Sequence, residues 1–449
     1  MIRRRQRQGS IGRLCRLALV PWLLSSAHAH ADPEKREVPN YDGREDRTTA
    51  GDVLLWVPRV ILSPLYVVSE FVIRRPLGFL LTAAERAQLP SALYEFFTFG
   101  PNHNSGLVPI AFIDFGFEPS VGLLFFSNDI APHQDLNVHF TTWGEDWLGG
   151  AISYTVRLPG ALSVGTHFAG HKRPDLAFFG LGPRSVNSAR SRYGSTLFEG
   201  GFDSALSGAR LVHFNAGLGL RTVSFQRGNF DDDPDLRRAS NEGHYPLPPG
   251  YEDGYTVLYN RLLLSIDSRA DSPMRNSGVR LELEGQQESE LQHGAGSGFL
   301  RYSTALGGFY DLDQHGRVVS LWLSAQFADP LGHGAIPFTE LVQLGGAGQM
   351  RGFVPGRLID RSAAVATMRY RWPIWVFLDG SIQFAIGNVF GPHLEDFKPS
   401  LLRLSAAIGF ESGKADNSLE FLFGLGSETF EHGTQITSVR VVVGTNHGF

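Results

Sequence analysis

From about residue 105 onward, apolar and polar side chains alternate with period two, the pattern of strands that have two different faces. Val279, Leu281 and Leu283 alternate with Arg280, Glu282, Glu284 and Gln286. Val319, Leu321, Leu323, Ala325 and Phe327 alternate with Ser320, Trp322, Ser324 and Gln326. Ala364, Ala366, Met368, Tyr370 and Trp372 interleave with Val365, Thr367, Arg369 and Arg371, and Leu402, Leu404, Ala406, Ile408 and Phe410 with Arg403, Ser405, Ala407, Gly409 and Glu411. Sixteen strands are predicted, near 107–117, 119–128, 134–143, 147–157, 161–171, 190–203, 208–227 and 253–269 in the first half. The second half gives 277–291, 297–311, 316–329, 361–373, 379–389, 400–411, 417–428 and 434–446. The long connections 172–189, 228–252 and 330–360 each follow an odd-numbered strand, whereas 374–378 and 412–416 are short. One-sided length of this kind, with an even strand count, predicts an all-β antiparallel transmembrane barrel over 105–449. A soluble sandwich also alternates, but rarely sets pure hydrocarbon opposite arginine in strand after strand.

The N-terminal part has a different texture. Arg3, Arg4, Arg5, Arg7 and Arg13 precede the apolar run Leu14 to Leu24 and the small-residue sites Ala27-His28-Ala29 and Ala29-His30-Ala31, so residues 1–31 read as a signal peptide. The only cysteine, Cys15, lies within it, which leaves the exported chain without disulfides or thiol chemistry. Residues 32–104 read as a polar leader followed by short amphipathic helices at 51–99, broken by Pro58, Pro64 and Pro76. These helices are expected either on the membrane surface or as a small packed cap. Nowhere after the signal is there an apolar run of about 20 residues, the length a transmembrane helix needs.

Composition narrows the class further. Charged residues make up 19%, below the roughly 25% of ordinary soluble chains, while glycine reaches 52 residues and phenylalanine 33. A net charge of −5 gives no reason to expect nucleic acid as a partner.

One connection is unlike the others. Within 330–360, Leu344-Gly345-Gly346 leads to Met350-Arg351-Gly352-Phe353, followed by Gly356 and Arg357. A connection this long is either functional or a disordered surface segment. The arginine, glycine and aromatic ring at its tip supply a charged fork, a pivot and an anchor, making Gly345, Gly346, Arg351, Gly352 and Phe353 the candidate functional residues.

This loop, with the following Met368-Arg369-Tyr370-Arg371-Trp372-Pro373, resembles the Gly-Gly…Arg-Gly-aromatic loop of the bacterial surface antigen superfamily of outer-membrane barrels, which includes BamA and TamA. Phe179-Gly180-Leu181-Gly182 and Asp267-Ser268-Arg269…Ser277-Gly278 resemble two further steps of that family. The resemblance covers roughly 105–449. It implies that the loop folds back into the lumen and that Arg351 is pinned to the wall. Where the family usually has an aspartate, this chain has Ala385, so lumen-side Glu411 or Glu420 is expected to receive Arg351. The terminal Phe449 resembles the sorting signal of such barrels, with His447 in place of the usual apolar residue. Residues 32–104 do not show the strand-helix-helix-strand-strand pattern of the family's periplasmic POTRA domains, so a barrel without them is expected.

No catalytic set, cofactor site or metal site stands out, and the chain is not expected to be an enzyme. His167 and His171 share a strand face but would lie about 13 Å apart at strand rise, too far for one metal. Asp231-Asp232-Asp233-Pro234-Asp235 reads as a solvated loop tip. The expected location is the bacterial outer membrane, with lipid and lipopolysaccharide as surroundings. Two functions are carried forward. One is assistance to insertion or translocation of unfolded outer-membrane protein clients through a seam between first and last strands, where Pro109 lacks a ladder donor. The other is a closed structural, anchoring or lipid-related barrel.

Overall fold

A computed structural model describes residues 88–209, 211–269, 276–292, 297–375, 378–412 and 418–446. The expected signal peptide 1–31, the expected polar leader, most of the stretch expected to be helical and Phe449 lie outside the described residues.

The chain forms a closed antiparallel barrel of sixteen strands. The first eight are β1 (Ser105–Asp114), β2 (Ser120–Ala131), β3 (Gln134–Thr142), β4 (Leu148–Leu158), β5 (Leu162–Phe178), β6 (Ser191–Ala209), β7 (Val212–Arg227) and β8 (Tyr255–Asp267). The second eight are β9 (Gly278–Glu290), β10 (Gly298–Asp311), β11 (Val318–Leu331), β12 (Ser362–Trp375), β13 (Leu378–Phe390), β14 (Arg403–Ser412), β15 (Ser418–Ser427) and β16 (Ile436–Asn446). Each pairs with its sequence neighbours, and β16 returns to β1. A helix, α1 (Leu89–Phe97), precedes the barrel.

Alternation decides the faces. Leu123, Phe168, Phe198, Phe202, Leu321, Leu323, Met368, Phe384, Leu404 and Val439 point outward and are exposed, as a lipid-facing wall requires. Their neighbours in sequence, among them Ser320, Thr367, Gln383, Ser405 and Arg440, point inward and are buried. The interior is therefore lined with polar groups that need partners.

Two segment boundaries differ from expectation. The strand expected to stop at residue 171 continues to Phe178, and its partner β6 runs on to Ala209. His171-Lys172-Arg173-Pro174 breaks the apolar rhythm, but a register shift between Arg173 and Leu176 absorbs the proline and lets pairing resume. The outer loop that follows is consequently 179–190, shorter than the sequence suggested.

The buried core lies inside the barrel. Phe338, Leu341, Val342, Leu344, Met350, Phe353, Leu358 and Ile359, all from the β11–β12 connection, pack with the wall residues Tyr193, Val223, Tyr255, Val257, Ala363, Val365 and Val389. The loop thus enters the lumen as a plug. Its arms pair as a short hairpin, Val342–Leu344 against Leu358–Asp360. Phe338 sits in an aromatic nest, with ring centroids 5.3 Å from Phe178, 5.1 Å from Tyr193 and 5.1 Å from Phe225. Above it, the β7–β8 connection folds over the mouth through α2 (Leu236–Asn241), where Asp235 caps the helix by accepting from the Arg238 N–H at 3.2 Å.

Candidate functional site

The plug is held at three levels. At its tip, Gly345 and Gly346 adopt left-handed φ of 111° and 67°, turning the chain back on itself, and the Gly346 N–H donates to Phe353 O at 2.9 Å. This turn delivers Arg351, Gly352 and Phe353 to the wall formed by β14, β15 and β16. Arg351 is buried and donates to Glu420 of β15. Gly352 donates its N–H to Ser405 Oγ at 2.9 Å, and Ser438 Oγ donates to its carbonyl at 2.9 Å. Only glycine fits here, since a Cβ on Gly352 would lie 2.0 Å from the Leu425 carbonyl oxygen. The wall is equally bare: a Cβ on Gly426 would meet the fully buried Phe353 ring at 2.5 Å.

Of the two acids expected to receive Arg351, Glu420 takes it. Glu411 instead accepts from Arg369 at 2.5 Å and Arg371 at 2.6 Å, both on β12. Glu411 faces these arginines because they lie on lumen positions of the strand two places away, within reach of its carboxylate across β13. Ala385, at the position where a carboxylate was expected, is buried in the core on β13, opposite Thr367 and Ser405. Arg351, Arg369, Gln383, Glu411 and Glu420, with Ala347 and Gly348, line a cavity of about 220 Å³ beneath the tip.

At mid-height, Glu340 is almost fully buried and is caged by three groups. Arg221 donates to it at 3.0 and 3.1 Å, Tyr255 Oη at 2.5 Å, and Arg301 lies 3.2 Å away. Arg301 also pairs with Glu288 at 2.7 Å, and Arg221 with Glu199 at 2.6 Å. Near the outer mouth, Arg357 is fully buried, donates to Ser185 Oγ at 2.7 Å and to Ser185 O at 2.8 Å, and lies over the Phe179 ring at 5.2 Å. Phe179 therefore opens a loop that clamps the plug. Arg403 completes the clamp, donating to Glu428 at 2.7 Å and to Ser185 O at 2.8 Å.

A separate feature is the seam. Strands β5 and β6 pair along their length from Leu162–Leu206 to Phe178–Ser191, with one register shift, but β1 and β16 meet only at Asp114–Val442, Ile113–Val443 and Phe112–Gly444 among the described residues. The Phe115 N–H adds a bond to Val441 O at 3.0 Å, and among the described residues the outer part of β16 has no strand beside it on that edge. A side-chain clasp supplements this short ladder. Arg440 of β16 donates to both carboxylate oxygens of Asp114 at 2.7–3.2 Å, and both residues are buried. Its remaining Nη1 donates to the plug carbonyl of Gly346 at 2.7 Å. One guanidinium thus joins first strand, last strand and plug.

Glu340, Arg357 and the Arg440–Asp114 clasp were not singled out from the sequence. Arg440 carried a usable signal, since it stands on the inward parity of a strand whose Val439, Val441 and Val443 face out. His167 is held by Asp203 at 2.5 Å and Tyr259 at 3.1 Å. The acidic run is structural in part: Asp233 receives Arg190 and Arg192.

Residues 258–415 match the family model described as Omp85 superfamily domain. A crystal structure of BamA from Haemophilus ducreyi lacking POTRA domains 1-3 is similar at 15% identity and TM-score 0.53, over 76% of this chain and 70% of that one. CdiB from Escherichia coli aligns at 14% identity and TM-score 0.47, over 75% of this chain and 62% of that one. No curated protein sequence matches the chain.

Proposed function

We propose, from the match of residues 258–415 to the Omp85 superfamily domain, that the chain assists insertion or translocation of outer-membrane protein clients through the β1–β16 seam. The observation that carries the reading is the seam itself. An edge held by so few main-chain bonds can be exchanged for a client strand at little net cost, because each client bond replaces one lost. By the two-residue period, the main-chain groups of Pro109 share the seam edge with Ala111 O and Phe115 N, so the proline removes a donor that has no described partner there. The surroundings of the outer face would be lipid and lipopolysaccharide, and the clients unfolded outer-membrane chains.

The test is a disulfide lock. Ile113 and Val443 are direct register partners, so Ile113→Cys with Val443→Cys should oxidise readily. Locked protein should fail to support envelope assembly and recover on reduction. Unimpaired assembly with the lock intact refutes the insertase reading.

A closed structural or anchoring barrel is the second reading, favoured by the Arg357–Ser185 and Arg357–Glu428 contacts that tie the plug to the outer loops. A passive pore is disfavoured by the plug within the lumen, and steady conductance in planar bilayers would reverse that judgement.

A further inference from the structure

The segment before the barrel has its own relation to the seam. Helix α1 ends where Thr98 turns extended, at φ −119° and ψ 147°, with its N–H on Tyr94 O and its hydroxyl hydrogen-bonded to Tyr94 O and to His103 Nδ1. Thr98 and Phe99 then pair antiparallel with Gly106 and Ser105 of β1. Those same two residues already pair with Phe126 and Ser127 of β2. A strand has only two edges, so Thr98–Phe99 must occupy the other one, which is the edge that β16 closes higher up.

The fit is specific. A Cβ on Gly106 would meet the Phe126 ring of β2 at 2.5 Å and the Phe97 carbonyl oxygen at 2.9 Å, so glycine admits both the ring and the segment this closely. Phe99 shares a face with Ser105 and stacks on Phe125 of β2 at 6.5 Å, continuing the outward wall. Phe99, Phe96, Tyr94 and Leu93 are all exposed, and Phe96 is 79% exposed. Exposed aromatic rings next to a lipid-facing wall suit the membrane interface.

We propose that residues 89–99 are a displaceable occupant of the seam edge of β1, which must leave Ser105 and Gly106 before an extended client strand can pair along that edge. The segment is thus a self-pairing guard on the inner end of the seam. This inference rests on the seam-templating reading for its client, but the occupancy has a readout of its own.

The full-length barrel in detergent is compared in three forms: unaltered, Phe99→Pro, and Phe99→Cys with Ser105→Cys. Thr98 is already extended, so proline at 99 leaves it unstrained and removes only the N–H that pairs with Ser105 and the ring. The cysteine pair joins direct register partners. Amide exchange over 105–111 is measured by mass spectrometry. In parallel, each form carries a photo-crosslinking residue at Leu107 and is offered a synthetic peptide copying residues 436–446, the strand that β1 natively accepts. Phe99→Pro should speed exchange and raise peptide capture roughly tenfold, the weight of one or two main-chain bonds. The oxidised pair should slow exchange and abolish capture, and reduction of the same sample should restore both, which controls for misfolding. Equal exchange and capture in all forms overturns the guard. Exchange that responds, with peptide captured by none, upholds the occupancy and refutes the templating reading instead.

Discussion

Replacing Arg440 by Met should open the seam. Among the described residues, the main-chain ladder there is carried by the Ile113–Val443 pair and the Phe115–Val441 bond, because alternate residues of β1 face β2. At a net 0.5–1.5 kcal/mol per bond, this ladder contributes roughly 2–4 kcal/mol. Arg440 and Asp114 are 3% and 5% exposed, so removing the guanidinium leaves a buried carboxylate without its partner. Breaking such a pair from one side costs about 3–5 kcal/mol, as much as the whole ladder. The Gly346 carbonyl loses its donor in the same step. The readout is amide exchange at Ile113 and Phe115 in purified protein, where reclosing outpaces chemical exchange and protection follows the opening free energy. A loss of 3 kcal/mol corresponds to roughly a hundredfold faster exchange. The control is Asp114→Leu with Arg440→Met, which removes both charges and should recover much of the loss. Unchanged exchange in Arg440→Met would refute the reasoning, since the seam would then be closed by something other than this pair.

The plug yields further expectations. Glu420→Ala should cost about 3–5 kcal/mol of plug anchoring by stranding Arg351, whereas Glu411→Ala should leave Arg351 in place and free Arg369 and Arg371; equal tryptic cleavage at Arg351 in the two variants would contradict the assignment. Gly352→Ala must push the tip off the Leu425 carbonyl and lose two polar contacts, roughly 1–3 kcal/mol, seen as faster cleavage at Arg357 with the strands intact by circular dichroism. Glu340→Gln weakens the cage of Arg221, Arg301 and Tyr255 by about 1.5–3 kcal/mol, to be read as a lower unfolding temperature of the barrel. In the outer loops, hydrogen bonding to Arg184 holds the Glu431 carboxyl below its usual range. A depressed folded value means the contact stabilises at neutral pH and is lost as pH falls through that value, so a carboxyl titration of Glu431 by NMR should shift upward in Arg184→Ala.

The barrel was legible from the chain because a membrane wall imposes period two on every strand, so side chains report the face they occupy without knowledge of their neighbours. Val439, Val441 and Val443 against Arg440 show this within a few residues. The plug was legible through the resemblance: its residues alone left a functional or a disordered loop open, and the likeness of the Gly-Gly…Arg-Gly-Phe stretch to the family's loop implied that it folds into the lumen. What stayed hidden was partner choice. Glu411 and Glu420 stand on adjacent strands with the same inward parity, and only the position of the plug tip in the lumen assigns Arg351 to one and Arg369 with Arg371 to the other. Glu340 looked like any loop acid until folding placed it among two arginines and a tyrosine from three strands. The Arg440–Asp114 clasp joins residues from opposite ends of the chain, brought together only when the sheet closes on itself. Local alternation is written residue by residue, whereas closure, register and depth in the lumen are properties of the whole cylinder, and those determine which charges meet.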